Sequence, residues 1–143
     1  MHNKRVKFFY QSGTFTFHKR NELKNFLIKV FKKEEIRLEN LNVIFCTDKA
    51  LLKINRQFLK HNYYTDIVTF IISDSTAIEA EMYISVDRVK DNAKGLDISF
   101  KLELHRVILH GCLHLAGYND KSSQQIIKMR EREDHYLRLY FRK

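Results

Sequence analysis

Phe100-Lys-Leu-Glu-Leu-His-Arg-Val-Ile-Leu-His-Gly-Cys-Leu-His-Leu-Ala116, closed by Gly117-Tyr-Asn-Asp120, decides how this chain is organised. Leu104, Val107, Ile108 and Leu115 share one helical face, and Leu102, Leu109 and Leu113 lie on another. A helix that is apolar nearly all round is buried at the centre of its domain. Gly117 is placed to end it, because the residue just past a helix often takes the left-handed conformation. His110 and His114 sit on a flank between the apolar faces. Residues four apart point the same way on a helix, so two imidazoles can reach one ion. The reversed chain then returns Asp120 as a third ligand. Two nitrogens, one carboxylate oxygen and a free position describe a catalytic zinc site, at the end of a buried central helix, rather than a closed structural one.

Outward from this helix the pattern alternates between strands and helices. Arg5–Tyr10 is aromatic and β-prone, with Thr14–Phe17 as a candidate pairing strand. Asn21 precedes an amphipathic helix carrying Leu23, Phe26, Leu27, Val30 and Phe31, and reads as its cap. Leu41–Cys46 is a short strand. Asp48 reads as the cap of a helix whose buried face includes Leu51, Leu52, Asn55 and Phe58. Ile67–Ile72 is a continuous β-branched and aromatic run, the pattern of an interior strand. Glu81–Val86 alternates as a further strand, and Asp87–Gly95 reads as a short helix ended by glycine. Ser122 or Ser123 caps a last helix to about Tyr140, built on Ile126, Ile127, Met129 and Leu137. This order gives an α+β domain with one small mixed sheet and about five helices. The chain has no proline and only four glycines, with no linker or repeat, so residues 1–143 read as one domain.

The 143 residues suffice for a real core, and no apolar run reaches the length of a membrane span. No signal-peptide core follows Met1. Two cysteines are too few for a disulfide scaffold, so Cys46 and Cys112 are expected to be reduced in a cytoplasmic protein. The formal net charge is +9, unevenly spread. Residues 1–60 carry 14 basic and 5 acidic side chains, residues 61–120 carry 5 and 9, and residues 121–143 carry 7 and 3. A basic periphery around a more acidic, metal-bearing middle suits a polyanion that crosses the molecule and meets the ion at one point. A solubilising surface has the same composition.

A single histidine in an apolar helix is usually a satisfied core residue. The pair differs, because four ring nitrogens need partners and each one left unmet costs about 1–3 kcal/mol. A metal takes one nitrogen of each ring, and carboxylates or carbonyls usually hold the others. Gly111 costs roughly 1 kcal/mol relative to alanine in mid-helix, so either close approach of another group or tight packing is expected there. Cys112 reads as core. The spacing His-x-x-x-His-x-x-Gly-x-x-ligand is that of metzincin peptidases, but Gly111 stands where their general-base glutamate belongs, which argues against peptide hydrolysis.

His110-Gly-x-Leu-His-Leu-x-Gly-Tyr118 closely resembles the signature of the YbeY family of bacterial endoribonucleases, which mature ribosomal RNA. The resemblance extends over most of the chain. Asn42–Phe45 with Asp48, Asn55, Thr65-Asp66-Ile67-Val68-Thr69-Phe70, Met82–Ser85 and Glu103 to Asp120 follow the family's blocks in order. It implies a four-stranded sheet packed with helices and a zinc ion held on the C-terminal side. Two departures stand out. The family usually ends its motif Gly-Tyr-Asp-His, whereas Asp120 occupies the third ligand position here. An oxygen ligand leaves the site about one net positive charge, which implies a weaker Lewis acid and a metal less strictly zinc. The family also usually places an arginine, assigned to substrate phosphate, where this chain has Leu59. Arg56, Lys60 or His61 are candidate substitutes.

The implied activity is metal-dependent, single-strand-specific cleavage of RNA, in small-subunit rRNA 3′-end maturation and ribosome quality control. With Gly111 beside the metal there is no obvious general base, so charge stabilisation and positioning carry the expected chemistry. Arg56, Lys60 and Arg106 are the candidates to complement phosphorane charge. Water and the RNA 2′-hydroxyl both remain open as nucleophile. Tyr63 and Tyr64 are candidates to stack on unpaired bases, or simply surface residues. The expected partners are single-stranded ribosomal RNA and the small ribosomal subunit or its assembly factors, with no membrane. The rival reading is a non-catalytic ribosome-assembly factor that binds RNA and uses zinc only to hold its fold.

Overall fold

Alternation along Ile78–Ser85 sets the two faces of the sheet: Ala80, Met82 and Ile84 point into the main core, while Glu79, Glu81 and Tyr83 point away. A computed structural model describes residues 4–11, 15–61 and 65–142. Among them four strands, β1 (Val6–Tyr10), β2 (Leu38–Cys46), β3 (Ile67–Ser73) and β4 (Ile78–Ser85), pair in the order β1-β2-β4-β3. β2 runs parallel to both β1 and β4, and β3 is antiparallel to β4. The helices are α1 (Arg20–Lys33), α2 (Asp48–Leu59), α3 (Val86–Leu96), α4 (Phe100–Leu115) and α5 (Ser123–Phe141). The expected α+β architecture, a small mixed four-stranded sheet with five helices, is therefore the one observed.

The stretch that opened the reading becomes α4, enclosed by α1, α3, α5 and the sheet. Its buried residues include Leu104, Val107, Ile108, Leu109, Cys112, Leu113 and Leu115, together with Glu103 and His105. Fully burying such aliphatic side chains is worth about 1.5–3 kcal/mol each, and α4 gives the core more of them than any other single element. Ser99 caps it by accepting from the Leu102 N–H at 3.0 Å. The opposite face of the sheet is covered by α2, where Leu51 packs on Cys46 and Val68.

Several local expectations are corrected. Ile67–Ile72 is an edge strand and not an interior one, because β3 folds back from β4 as a hairpin partner. Ile71 and Ile72 are accordingly 52% and 60% exposed. Residues 15–17 form no strand; Phe15 and Phe17 instead pack their rings on Phe45, while Thr14 lies outside the described residues. Asn21 lies within α1, whose cap position is held by Lys19 without a side-chain bond. Thr47, not Asp48, caps α2 by accepting from Ala50, which leaves Asp48 to pair with Arg88 at 2.7 Å. Phe58 is 62% exposed, on the outer side of α2. α3 is capped by Ser85 and runs through Gly95, ending at a left-handed Asp97. Ser122 caps α5 in a capping box with Gln125. Met129 and Leu137 face the core from α5 beside Glu133 and Tyr136, but Ile126 and Ile127 face outward.

Gly111 is explained by packing. A Cβ there would lie 2.6 Å from both Ile67 Cδ1 and Met82 Cε. The glycine lets α4 sit close on β3 and β4. Gly111→Ala is expected to gain helix propensity but lose more to overpacking, which typically costs about 1–3 kcal/mol. A net loss of about 1 kcal/mol in chemical denaturation is the expected result. A more stable variant would mean that the two side-chain ends yield freely.

Candidate metal centre

The last turn of α4 closes with backbone bonds that reverse the chain. Gly117 takes a positive φ of 104°, its N–H donates to His114 O, and the Tyr118 N–H donates to Leu113 O, both at 3.0 Å. These two bonds form a Schellman motif. Tyr118 then donates its hydroxyl to Glu34 Oε1 at 2.8 Å, fixing the returning segment to the end of α1. Arg132 and Tyr136 from α5 donate to the other oxygen of Glu34. The segment therefore has little freedom when it reaches Asp120.

His110, His114 and Asp120 are brought together at the end of α4. Each offers one ligand atom, and the three atoms lie within 4.8 Å of one another. Asp120 Oδ2 is 3.3 Å from His110 Nε2 and 3.4 Å from His114 Nε2. The edge of a tetrahedron is about 1.63 times its centre-to-corner length, so bonds of about 2.0–2.1 Å predict edges of about 3.3–3.4 Å. The donor set and its spacing thus fit a divalent ion of zinc's size. All three residues are only partly buried and line a cleft of about 430 Å³, which leaves the ion's remaining position accessible.

Behind His110 stands a buried network that the sequence reading did not foresee. His110 Nδ1 donates to Glu133 Oε2 at 2.6 Å, which leaves Nε2 as the nitrogen available to ligate an ion. Arg106 donates to Glu133 Oε1 at 3.0 Å and to Asp134 Oδ1 at 2.7 Å. Burial opposes charge on His110. The hydrogen bond to Glu133 and the negative charges of Glu133, Asp120 and Asp66 outweigh it and raise the histidine above its usual range. A signal for Glu133 was present in the sequence: it follows Met129 and precedes Leu137 by four residues, a carboxylate on an otherwise apolar stripe.

A second cavity of about 290 Å³ opens beside His110 between α4, α5 and the start of β3. Asp66, Glu103, Asp120 and Glu133 line it, with Arg106 and Arg130. Glu103 is 5% exposed, and its Oε1 is buried with no hydrogen-bond partner. Burial and the neighbouring Asp66 charge push its carboxyl above the ordinary value. Folded Glu103 thus holds its proton more tightly than unfolded Glu103. Its contribution to stability is present at acid pH and is lost as pH rises through the raised value. Glu103→Gln is expected to remove this term and an unpaired buried charge, a penalty of about 1–3 kcal/mol. Thermal denaturation at pH 5 and pH 8 checks this: the variant should gain at pH 8 and show a flatter pH profile. A variant destabilised equally at both values would refute it.

The other candidates are placed differently. Arg56 and Lys60 are exposed on the last turn of α2, and Lys60 ends that helix in a left-handed conformation. The cleft wall nearest them is made by Asn55, Leu59 and His61. Leu59, which occupies the position of the expected arginine, therefore presents an apolar wall to the cleft. Arg106 is engaged by two carboxylates, so its contact is with the support of His110. Tyr63 and Tyr64 lie outside the described residues.

The sequence profile of a family described as Endoribonuclease YbeY matches residues 9–140. This chain belongs to the YbeY family. It is 44% identical to a curated Endoribonuclease YbeY of Cytophaga hutchinsonii over 97% of this chain and 98% of the relative. A second such protein, from Chlorobium limicola, is 41% identical over 82% of each chain. The solution structure of a Thermotoga maritima protein superposes with a TM-score of 0.62 and 25% identity, covering 95% of this chain and 89% of that one. The resemblance read from the histidine motif is borne out; in this chain His110 and His114 lie on the central helix and Asp120 on the segment that follows it.

Proposed function

We propose that this protein is a metal-dependent endoribonuclease that cuts single-stranded RNA during ribosomal RNA processing, with small-subunit 3′-end maturation and ribosome quality control as its setting. The spacing of His110 Nε2, His114 Nε2 and Asp120 Oδ2 beside an open cleft carries this reading. Zinc is the proposed ion, and the Asp120 oxygen makes the site tolerant of other divalent metals. Once bound, the ion would polarise a phosphoryl oxygen of the scissile phosphodiester.

The chain's own residues supply orientation and charge. Glu133 keeps the His110 proton on Nδ1 and the ring fixed. Arg106 holds Glu133 in place and so acts as a positioning residue in this reading. Arg56 and Lys60 at the end of α2 are the proposed contacts to RNA phosphates flanking the cut. The basic excess of residues 1–60 and 121–143 attracts the polyanion. Residues 1–143 act as one domain in this reading. No helix among the described residues is long and apolar enough to cross a membrane. A cytoplasmic location beside the small ribosomal subunit and its assembly factors is part of the proposal, and the buried free thiols Cys46 and Cys112 accord with it.

Cleavage of a single-stranded RNA before and after chelation tests the reading, with metal content measured in parallel. Cutting should stop on chelation and return with added zinc. RNA that binds but stays intact with metal loaded would favour the non-catalytic assembly factor. The third ligand has its own expected result: Asp120→Ala should lower zinc affinity at least about tenfold, whereas Asp120→His should retain or tighten it. Unchanged metal content in Asp120→Ala would remove this residue from the site.

A further inference from the structure

His105 lies on α4 five residues before His110, so it is displaced about 7.5 Å along the helix and about 140° around it. It therefore belongs to a different face from the metal cleft. His105 is 5% exposed, yet it lines a separate cavity of about 270 Å³. Its Nδ1 lies 2.7 Å from Lys101 O, a carbonyl that can only accept, so the proton is on Nδ1. Nε2 is then a bare acceptor with no protein partner among the described residues. Burial lowers the affinity of this ring for a second proton, which keeps Nε2 an acceptor.

The walls around that ring are aromatic. Tyr140 and Phe141 approach the imidazole with centroids at 5.3 and 5.0 Å, and Phe17 meets it edge-on at 5.5 Å. Phe15 and Phe100 close the far side in T-shaped contact at 5.6 Å. Lys19 and Lys101 are exposed at the rim, against one acidic wall residue, Glu22. Aromatic surfaces, one unpartnered acceptor nitrogen on a lining ring and a mainly cationic rim match a planar heterocycle that carries an N–H donor and a phosphate.

We propose that this cavity receives one unpaired nucleobase of an RNA strand, its exocyclic amino group donating to His105 Nε2 and its phosphates lying against Lys19 and Lys101. The cavity would hold the strand several nucleotides from the metal cleft, on the other side of α4. This assignment rests on the RNA reading above, but its test does not require cleavage.

The experiment measures equilibrium binding of AMP and of a cleavage-resistant 2′-O-methyl oligoadenylate to the full chain with its metal. Wild type should bind both, the oligonucleotide more tightly. His105→Phe keeps the ring volume and removes the acceptor, and should weaken AMP binding about tenfold. Lys19→Gln with Lys101→Gln should weaken both probes and reduce the salt dependence of binding. Photo-cross-linking of wild type with 8-azido-AMP locates the site without any substitution, and the label should fall on Phe15, Phe17, Tyr140 or Phe141. Label confined to the metal cleft, or AMP binding unchanged in a folded His105→Phe, would overturn the proposal. AMP binding with no gain for the oligonucleotide would overturn its assignment to RNA. If RNA cleavage fails while AMP labels this cavity, the nuclease reading falls and the nucleobase site stands.

Discussion

Replacing His114 by alanine is expected to lower RNA cleavage by at least about a hundredfold while the protein stays folded. The side chain is 29% exposed, and its one ion-pair contact is to Asp120 at 3.4 Å. Little of the core depends on it. Loss of a residue that merely supports a metal ligand typically costs 10- to 100-fold, so loss of a ligand itself should cost at least the upper figure. The check is a single-turnover cleavage rate paired with thermal denaturation of both proteins without added metal. Melting temperatures should agree within a few degrees. Cleavage at the parental rate would assign the activity to another site or to a contaminant.

Glu133 is the position where the largest stability effect is expected. It is 4% exposed and holds both His110 and Arg106. Glu133→Ala would leave a partly buried guanidinium and a partly buried imidazole N–H without this acceptor. Breaking a buried pair from one side usually costs about 3–5 kcal/mol. Arg106 keeps Asp134, so about 3 kcal/mol is expected, a fall in Tm on the order of 10 °C for a chain of this size. Glu133→Gln separates structure from chemistry, because it keeps the shape and one acceptor but removes the charge. Its metal affinity should fall about 10- to 100-fold with a much smaller loss of stability. Equal zinc affinity in Glu133→Gln and wild type would show that the carboxylate plays no part in tuning His110.

The fold class and the candidate metal group were legible because one helix and the turn after it carry an unambiguous pattern. Apolar residues on two faces of α4 force it inside, the i, i+4 spacing aligns His110 with His114, and Gly117 announces the reversal that returns Asp120. Edges and caps were less legible. Ile67–Ile72 reads as interior since apolar continuity reports burial of residues and not sheet position, and only the hairpin with β4 puts β3 outside. Thr47 and Asp48 are both good caps, and the choice is settled by Arg88, 40 residues away, which claims Asp48. The roles of Glu133 and Glu103 escaped notice because each depends on which neighbouring element the carboxylate faces.

The turn that follows α4 is built from main-chain bonds, one glycine and the Tyr118–Glu34 tether, and none of these involves the side chain at position 120. Address and chemistry are therefore separable there. Substituting the side chain at position 120 leaves its placement intact, so the donor atom offered beside the two imidazoles can be exchanged on an unaltered scaffold.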